Sequence, residues 1–282
     1  MSTIGKLLRG SIDTHIHHAP DARVERSVDA LQVARQAQEA GIRAVVLKSH
    51  EYPTAPVAYI LSQIVSDITI FGSICLDLEA GGLNVYALKA SAKLGAKVVW
   101  MPTFTSANDM KINGRGDGGI SILDSNGKLL PVVDEILDIV NNYQMVLATG
   151  HISAPETFAL VERAMEKKVS NVVVTHPLWP RGGAKLGLPE QQRMAEKGAF
   201  IEHCFANTMP FPDRIHPMRI VEAVRAVGAE HCIMSTDFGQ VYNPAPAEGM
   251  RMAIATMLSC GLSEREMELL VKVNPATLLG LS

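Results

Sequence analysis

Short apolar, β-branched runs alternate with longer amphipathic stretches along nearly the whole chain. The runs at 11–17, 44–50, 68–77, 97–104, 145–152, 171–177, 199–205 and 231–238 have strand length and strand composition. The stretches at 28–40, 55–66, 83–94, 131–142, 155–168, 189–197, 217–227 and 246–259 carry apolar residues at helical spacing. Several of these helices open on Pro, whose missing N–H costs nothing in a first turn. Many stop just before a Gly, among them Gly41, Gly95, Gly198, Gly228 and Gly261. Successive β-α units imply parallel pairing through right-handed crossovers. Closure into a single (β/α)8 TIM barrel, an α/β fold, removes both sheet edges. An open doubly wound sheet is the alternative, but it usually follows its first strand with a Gly-rich phosphate loop, and here that strand ends in histidines.

Two segments fall outside the rhythm. Residues 105–130 form an insertion after strand four, with a Gly-rich part from Asn113 to Gly119 and a predicted hairpin turning at Asn126-Gly127. In a barrel it would lie over the C-terminal face and act as a lid. The Arg-Gly-Asp tripeptide inside it is read as a coincidence of a Gly-rich loop. Residues 263–282 add a helical tail, so 1–282 reads as one barrel domain.

Composition narrows the function classes. A formal net charge of −3 argues against nucleic acid and anionic membranes as partners. No apolar run approaches the ~20 residues of a membrane span. Residues 1–9 are too short and polar for a secretory signal. Cys75, Cys204, Cys232 and Cys260 are widely spaced and read as reduced thiols. The expected protein is cytoplasmic, with a small-molecule substrate and room for homo-oligomerisation.

The chemistry gathers at strand ends. His15 and His17 lie two apart on strand one, so their rings share a face. Strand two ends in Lys48-Ser-His50, strand five in Thr149-Gly-His151, strand six in Thr175-His176, strand eight in Ser235-Thr-Asp237. Strand seven carries Glu202-His203. Two-residue parity pairs Thr149 with His151, Val174 with His176 and Ser235 with Asp237, which lets each candidate point inward. Any one of these has a structural explanation, such as a hydrogen-bonded His or a turn-capping Asp. Four imidazoles and a carboxylate at one barrel mouth form a plausible nest for a divalent metal.

In that strand order, His15-x-His17, His151, His176 and Asp237 resemble the amidohydrolase superfamily of metal-dependent hydrolases. The closing Asn274-Pro-Ala-Thr-Leu-Leu279 is similar to C-terminal segments there. The resemblance implies that His15, His17, His151 and Asp237 bind one or two divalent ions. It makes His176 a second-metal ligand or a substrate-orienting group. Zinc is the first expectation, with Mn2+ or Fe2+ as alternatives. The departure is strand four, Trp100-Met-Pro-Thr-Phe104, which lacks the bridging Lys or Glu of binuclear relatives. The site is then mononuclear, or the bridge comes from a carboxylated Lys48 or from Glu79. The expected reaction is hydrolysis of a small amide, cyclic amide or lactone by metal-activated water. Asp237 would move the proton, and His176 or Lys48 would hold the oxyanion. His50, His203 and Arg115, with Asn113, are the candidate substrate contacts. The alternatives are a non-oxidative decarboxylase of the same barrel type, a phosphoesterase, and a non-catalytic metal-binding protein.

Overall fold

A computed structural model describes residues 2–281. The predicted strands form at β1 Ile12–His17, β2 Ala44–Lys48, β3 Thr69–Cys75, β4 Ala96–Trp100, β5 Val146–Ala148, β6 Val172–Val174, β7 Phe200–Cys204 and β8 Cys232–Ser235. They pair in parallel, in sequence order. β8 returns to β1 through an Ile16–Phe238 bridge and two backbone bonds, His17 N to Phe238 O at 2.8 Å and Asp237 N to His15 O at 2.9 Å. The seam that completes the (β/α)8 barrel therefore runs through the predicted site.

The helices are α1 Thr3–Leu8, α2 Ala30–Glu39, α3 Ala55–Ser62, α4 Val85–Lys93, α5 Ala107–Ile112, α6 Pro131–Asn142, α7 Ala154–Glu166, α8 Leu188–Glu196, α9 Pro217–Val227, α10 Pro246–Ser259, α11 Glu264–Glu268 and α12 Asn274–Leu279. Among the described residues, none is long and apolar enough to cross a membrane. Helix α6 shows why these stretches fold as they do. Its buried Val133, Ile136, Leu137 and Val140 repeat at helical spacing and form one stripe facing the sheet. Burying each such side chain contributes roughly 1.5–3 kcal/mol.

Strand alternation splits the core in two. Ile12, Ala44, Val46, Cys75, Val98, Trp100, Val146, Ala148, Val173 and Ile233 fill the barrel interior. The neighbouring Val45, Leu47, Ile74, Val99, Leu147, Val172, Val174, Ile201 and Met234 face the helices. Ala276, Leu278 and Leu279 of α12 pack into the inner cluster, so the tail seals one end of the barrel and leaves the other for chemistry. The insertion holds α5 and a tight turn at 124–128, tied by one antiparallel bridge between Leu123 and Leu129.

Candidate metal centre

The first two histidines reach the interior because β1 is bulged. Asp13 pairs with Val45 but Ile16 pairs with Leu47, so three steps on β1 match two on β2. Thr14 lines a small cavity in the barrel interior, Ile16 belongs to the outer core, and His17 lines the mouth. His15, inside the bulge, lies against Glu202, Lys48 and Trp100.

Around Asp237 Oδ1 the ligand-type atoms crowd together: His15 Nε2 is 3.2 Å away and His17 Nε2 is 3.1 Å away. All three residues are buried, and their ligand atoms form one cluster of metal-binding size. Asp237 sits at φ +56°, a conformation that turns its side chain out of strand register. Its place is fixed from behind by Asp13, which accepts from Thr236 N at 3.0 Å, Thr236 Oγ1 at 2.5 Å and His15 N at 3.3 Å. Burial raises the Asp13 pKa to about 7, against the lowering effect of those bonds.

Three imidazoles are held by their Nδ1 atoms, which directs Nε2 away from the supporting group. His15 Nδ1 lies 3.3 Å from both Glu202 oxygens, and Glu202 also accepts from Ser235 Oγ at 2.7 Å. Burial pushes the Glu202 pKa up, but His15, Ser235 and Lys48 together hold it below the usual value. His151 Nδ1 lies 2.6 Å from Asp109 Oδ2, on the inserted α5. His50 Nδ1 lies 2.6 Å from Thr103 Oγ1, which in turn bonds Asp77. His176 is different: at φ +26° it is buried, and neither ring nitrogen has a partner among the described residues. Burial, reinforced by neighbouring positive charge, keeps His17 and His176 well below 6.5 and His50 and His151 at about 3. These rings are neutral at pH 7, the state in which an imidazole can ligate a metal.

His17, Lys48, His50, His151, His176 and Asp237 line one cavity of about 220 Å3. Lys48 is buried, with Nζ 2.9 Å from His15 Nε2 and 4.8 Å from the Trp100 ring. It has no ion pair to a carboxylate among the described residues. Trp100 takes the inward position at the end of β4, where no carboxylate or lysine stands.

Several expectations change. His203 does not line the cavity, because alternation that turns Glu202 inward turns His203 to the helix side. There it is buried, and desolvation brings its pKa to about 4. Arg115 stands in a shallower recess beside the mouth, bonded to Asp109 and over the Phe104 ring at 5.6 Å. Asn113 bonds Asp109 and the Arg181 carbonyl. Glu79 pairs with Arg23, away from the ligand cluster. Val174 belongs to the outer core, so His176 reaches the cavity by its positive φ and not by the parity predicted from Val174. The structure adds Asp109, Asp77 and Asp13 as supports of the histidines and Asp237, and gives Glu202, named above only as part of strand seven, the same role. Glu202 had a signal, since it lies on the same strand face as the interior positions. Asp109 and Asp13 had none that spacing could reveal.

The barrel with polar strand ends defines a class of fold shared with many solved enzymes. It superimposes on an amidohydrolase from Pseudomonas aeruginosa with a TM-score of 0.64 at 14% identity, over 98% of each chain. The probable dipeptidase PvdM from the same organism gives 0.69 at 13%, over 98% of this chain and 96% of that one. The 2,6-dihydroxybenzoate decarboxylase from Rhizobium gives 0.62 at 13%, over 97% and 99%. At such identities these likenesses concern the fold. No curated protein matches the sequence. Residues 10–202 match the model of a family described as a family of unknown function, DUF6282, and the chain belongs to that family.

Proposed function

We propose that this protein is a metal-dependent hydrolase that cleaves a small amide, cyclic amide or lactone. The observation that carries the reading is the convergence of His15, His17 and Asp237 within 3.1–3.2 Å contacts, behind which Glu202 fixes one imidazole. The donor set fits a divalent ion: His15 Nε2 and His17 Nε2 both face Asp237 Oδ1, the only cation on His15 Nε2 among the described residues is the Lys48 ammonium at 2.9 Å, and both ring nitrogens of the buried His176 have no partner there. His15, His17 and Asp237 would hold the ion, with His151 and His176 completing the shell, and zinc suits such N/O ligands. A bound divalent ion supplies Lewis acidity, polarising a carbonyl and lowering the pKa of a water molecule.

The side chains divide the remaining work. Asp237, a carboxylate at the ligand cluster, takes a proton from the attacking water and returns it to the leaving nitrogen or oxygen. Lys48 and His176, both lining the cavity, stabilise charge as it grows on the carbonyl oxygen. His50, stacked on Phe104 with ring centroids 4.1 Å apart, forms part of the substrate wall. The Trp100 position on β4 favours one ion over two, although a carboxylated Lys48 would supply a bridge.

Non-oxidative decarboxylation is the second reading, supported by that same missing β4 ligand and by the fold shared with a decarboxylase. Turnover in oxygen-18 water separates the two. Hydrolysis places the label in a carboxylate product, whereas carbon dioxide release without label in the organic product would overturn the hydrolase reading.

A further inference from the structure

The mouth cavity has an unbalanced charge lining. Its charged side chains are Arg26, Lys48, Arg181 and Asp237, three cations to one carboxylate, and that carboxylate belongs to the ligand cluster. Arg181 is 61% exposed and paired with Asp213 at the rim, where solvent screens it. Arg26 is different, with a side chain only 2% exposed.

The guanidinium of Arg26 is held in place from one side. Nε and Nη2 both donate to the same oxygen of Asp21, at 2.7 and 2.5 Å. The other Asp21 oxygen is taken by the backbone N–H groups of Arg23 and Val24, each at 2.8 Å. The loop bearing Arg26 is stapled to the loop after β8 by Ser27 N to Gly239 O at 2.8 Å and by an Arg26–Gln240 bridge. Gly239 passes so close to β1 that a Cβ there would lie 2.2 Å from the His17 carbonyl oxygen. This crossing fixes Arg26 beside His17 at the cavity wall. A guanidinium has five N–H donors in a planar fork, and a single Asp21 oxygen engages only part of it.

Much of the rest of the wall is aromatic, with Val24, Ala206 and the amides of Asn207, Gln240 and Asn243 between the rings. Phe104 and Trp179 line the cavity, as do Phe211 and Tyr242, whose rings meet edge to face with centroids 4.6 Å apart. At about 220 Å3 the space is smaller than the ~300–1,000 Å3 of drug-sized sites. It suits a single flat ring. A buried fork with spare donors beside aromatic faces matches a planar oxyanion on such a ring.

We propose that the substrate is a small planar carboxylic acid, with Arg26 reading its carboxylate and the aromatic walls its ring. The proposal rests on the strand-end cluster being the reacting centre, and it places the carboxylate beside that cluster, leaving the cluster for the scissile bond.

The test is calorimetric titration of the zinc-treated protein with benzoate, benzamide, acetate and phenyl phosphate, with zinc content measured on every sample. Benzoate is expected to bind at least about tenfold more tightly than benzamide or acetate, and more tightly than phenyl phosphate. Arg26→Gln should weaken benzoate by about tenfold or more while leaving benzamide binding and zinc content unchanged. Arg26→Lys should weaken benzoate less. Benzoate affinity unchanged in Arg26→Gln, meaning that metal alone holds the carboxylate, would overturn the proposal. So would equal binding of benzamide or acetate, or preference for phenyl phosphate. If Arg26→Gln does not fold, undiminished benzoate binding by Arg26→Lys overturns it as well. Arg26-dependent binding to protein that takes up no zinc would instead refute the metal centre and keep the carboxylate site.

Discussion

Glu202 and Asp109 bind no substrate in this account, yet each decides which nitrogen an imidazole offers. Glu202 faces His15 Nδ1 at 3.3 Å and Asp109 faces His151 Nδ1 at 2.6 Å, so both rings present Nε2. Residues in this supporting position typically contribute 10- to 100-fold to metal affinity. Glu202→Gln and Asp109→Asn preserve volume and should each raise the zinc dissociation constant by roughly that factor, measured by competition with a chromophoric chelator. Asp109 carries an additional bond from Arg115, which ties the inserted loop to His151 through one carboxylate. Unaltered zinc affinity in both variants would reduce these carboxylates to core-filling polar groups.

At the scale of elements, the pattern of apolar runs and helical stripes located all eight strands and the helices between them, although most predicted strands run two to four residues past the observed C-terminal ends. Helices α6, α9 and α10 occupy the predicted ranges 131–142, 217–227 and 246–259. What periodicity could not supply is the way strand ends depart from strand geometry. Parity makes His15 and His17 share a face, but a bulge between Asp13 and Ile16 decides which face it is. His176 and Asp237 escape their strands through positive φ, and Gly150 does the same for His151 at φ +60°. These conformations come from contacts between distant segments, such as Asp13 with Thr236. His203 shows the converse, since no local irregularity re-aims it and plain alternation keeps it outside. The carboxylate on α5 was equally hidden, because its insertion has no strand register to read.

For the whole molecule, burying so many neutral imidazoles links stability to pH. The pKa of His50 and His151 falls to about 3 and that of His203 to about 4, with His17 and His176 also well below 6.5. Below pH ~6.5 the unfolded chain takes up protons that the folded chain does not, so stability falls as pH drops, by up to about 1.4 kcal/mol per pH unit per imidazole. Asp13 opposes this: its pKa of about 7 makes the folded state the stronger proton binder between about 4 and 7. Glu51, pushed up by burial, acts in the same sense as Asp13, but two carboxyls against several imidazoles, with Asp77 and Glu202 held low on the side of the histidines, leave the net slope set by the histidines. The thermal midpoint of chelator-treated protein should therefore decrease steadily from pH 6.5 to 4, as followed by circular dichroism. A flat profile would mean that the rings are protonated in the folded state.

If the strand ends of the barrel build a divalent-metal centre, anomalous diffraction at the zinc edge from crystals of zinc-loaded protein will locate the ion there. A peak bounded by His15, His17 and Asp237 is expected. Absence of a peak there, or a peak confined to the buried His50, Cys75 and Asp77 group, would contradict it.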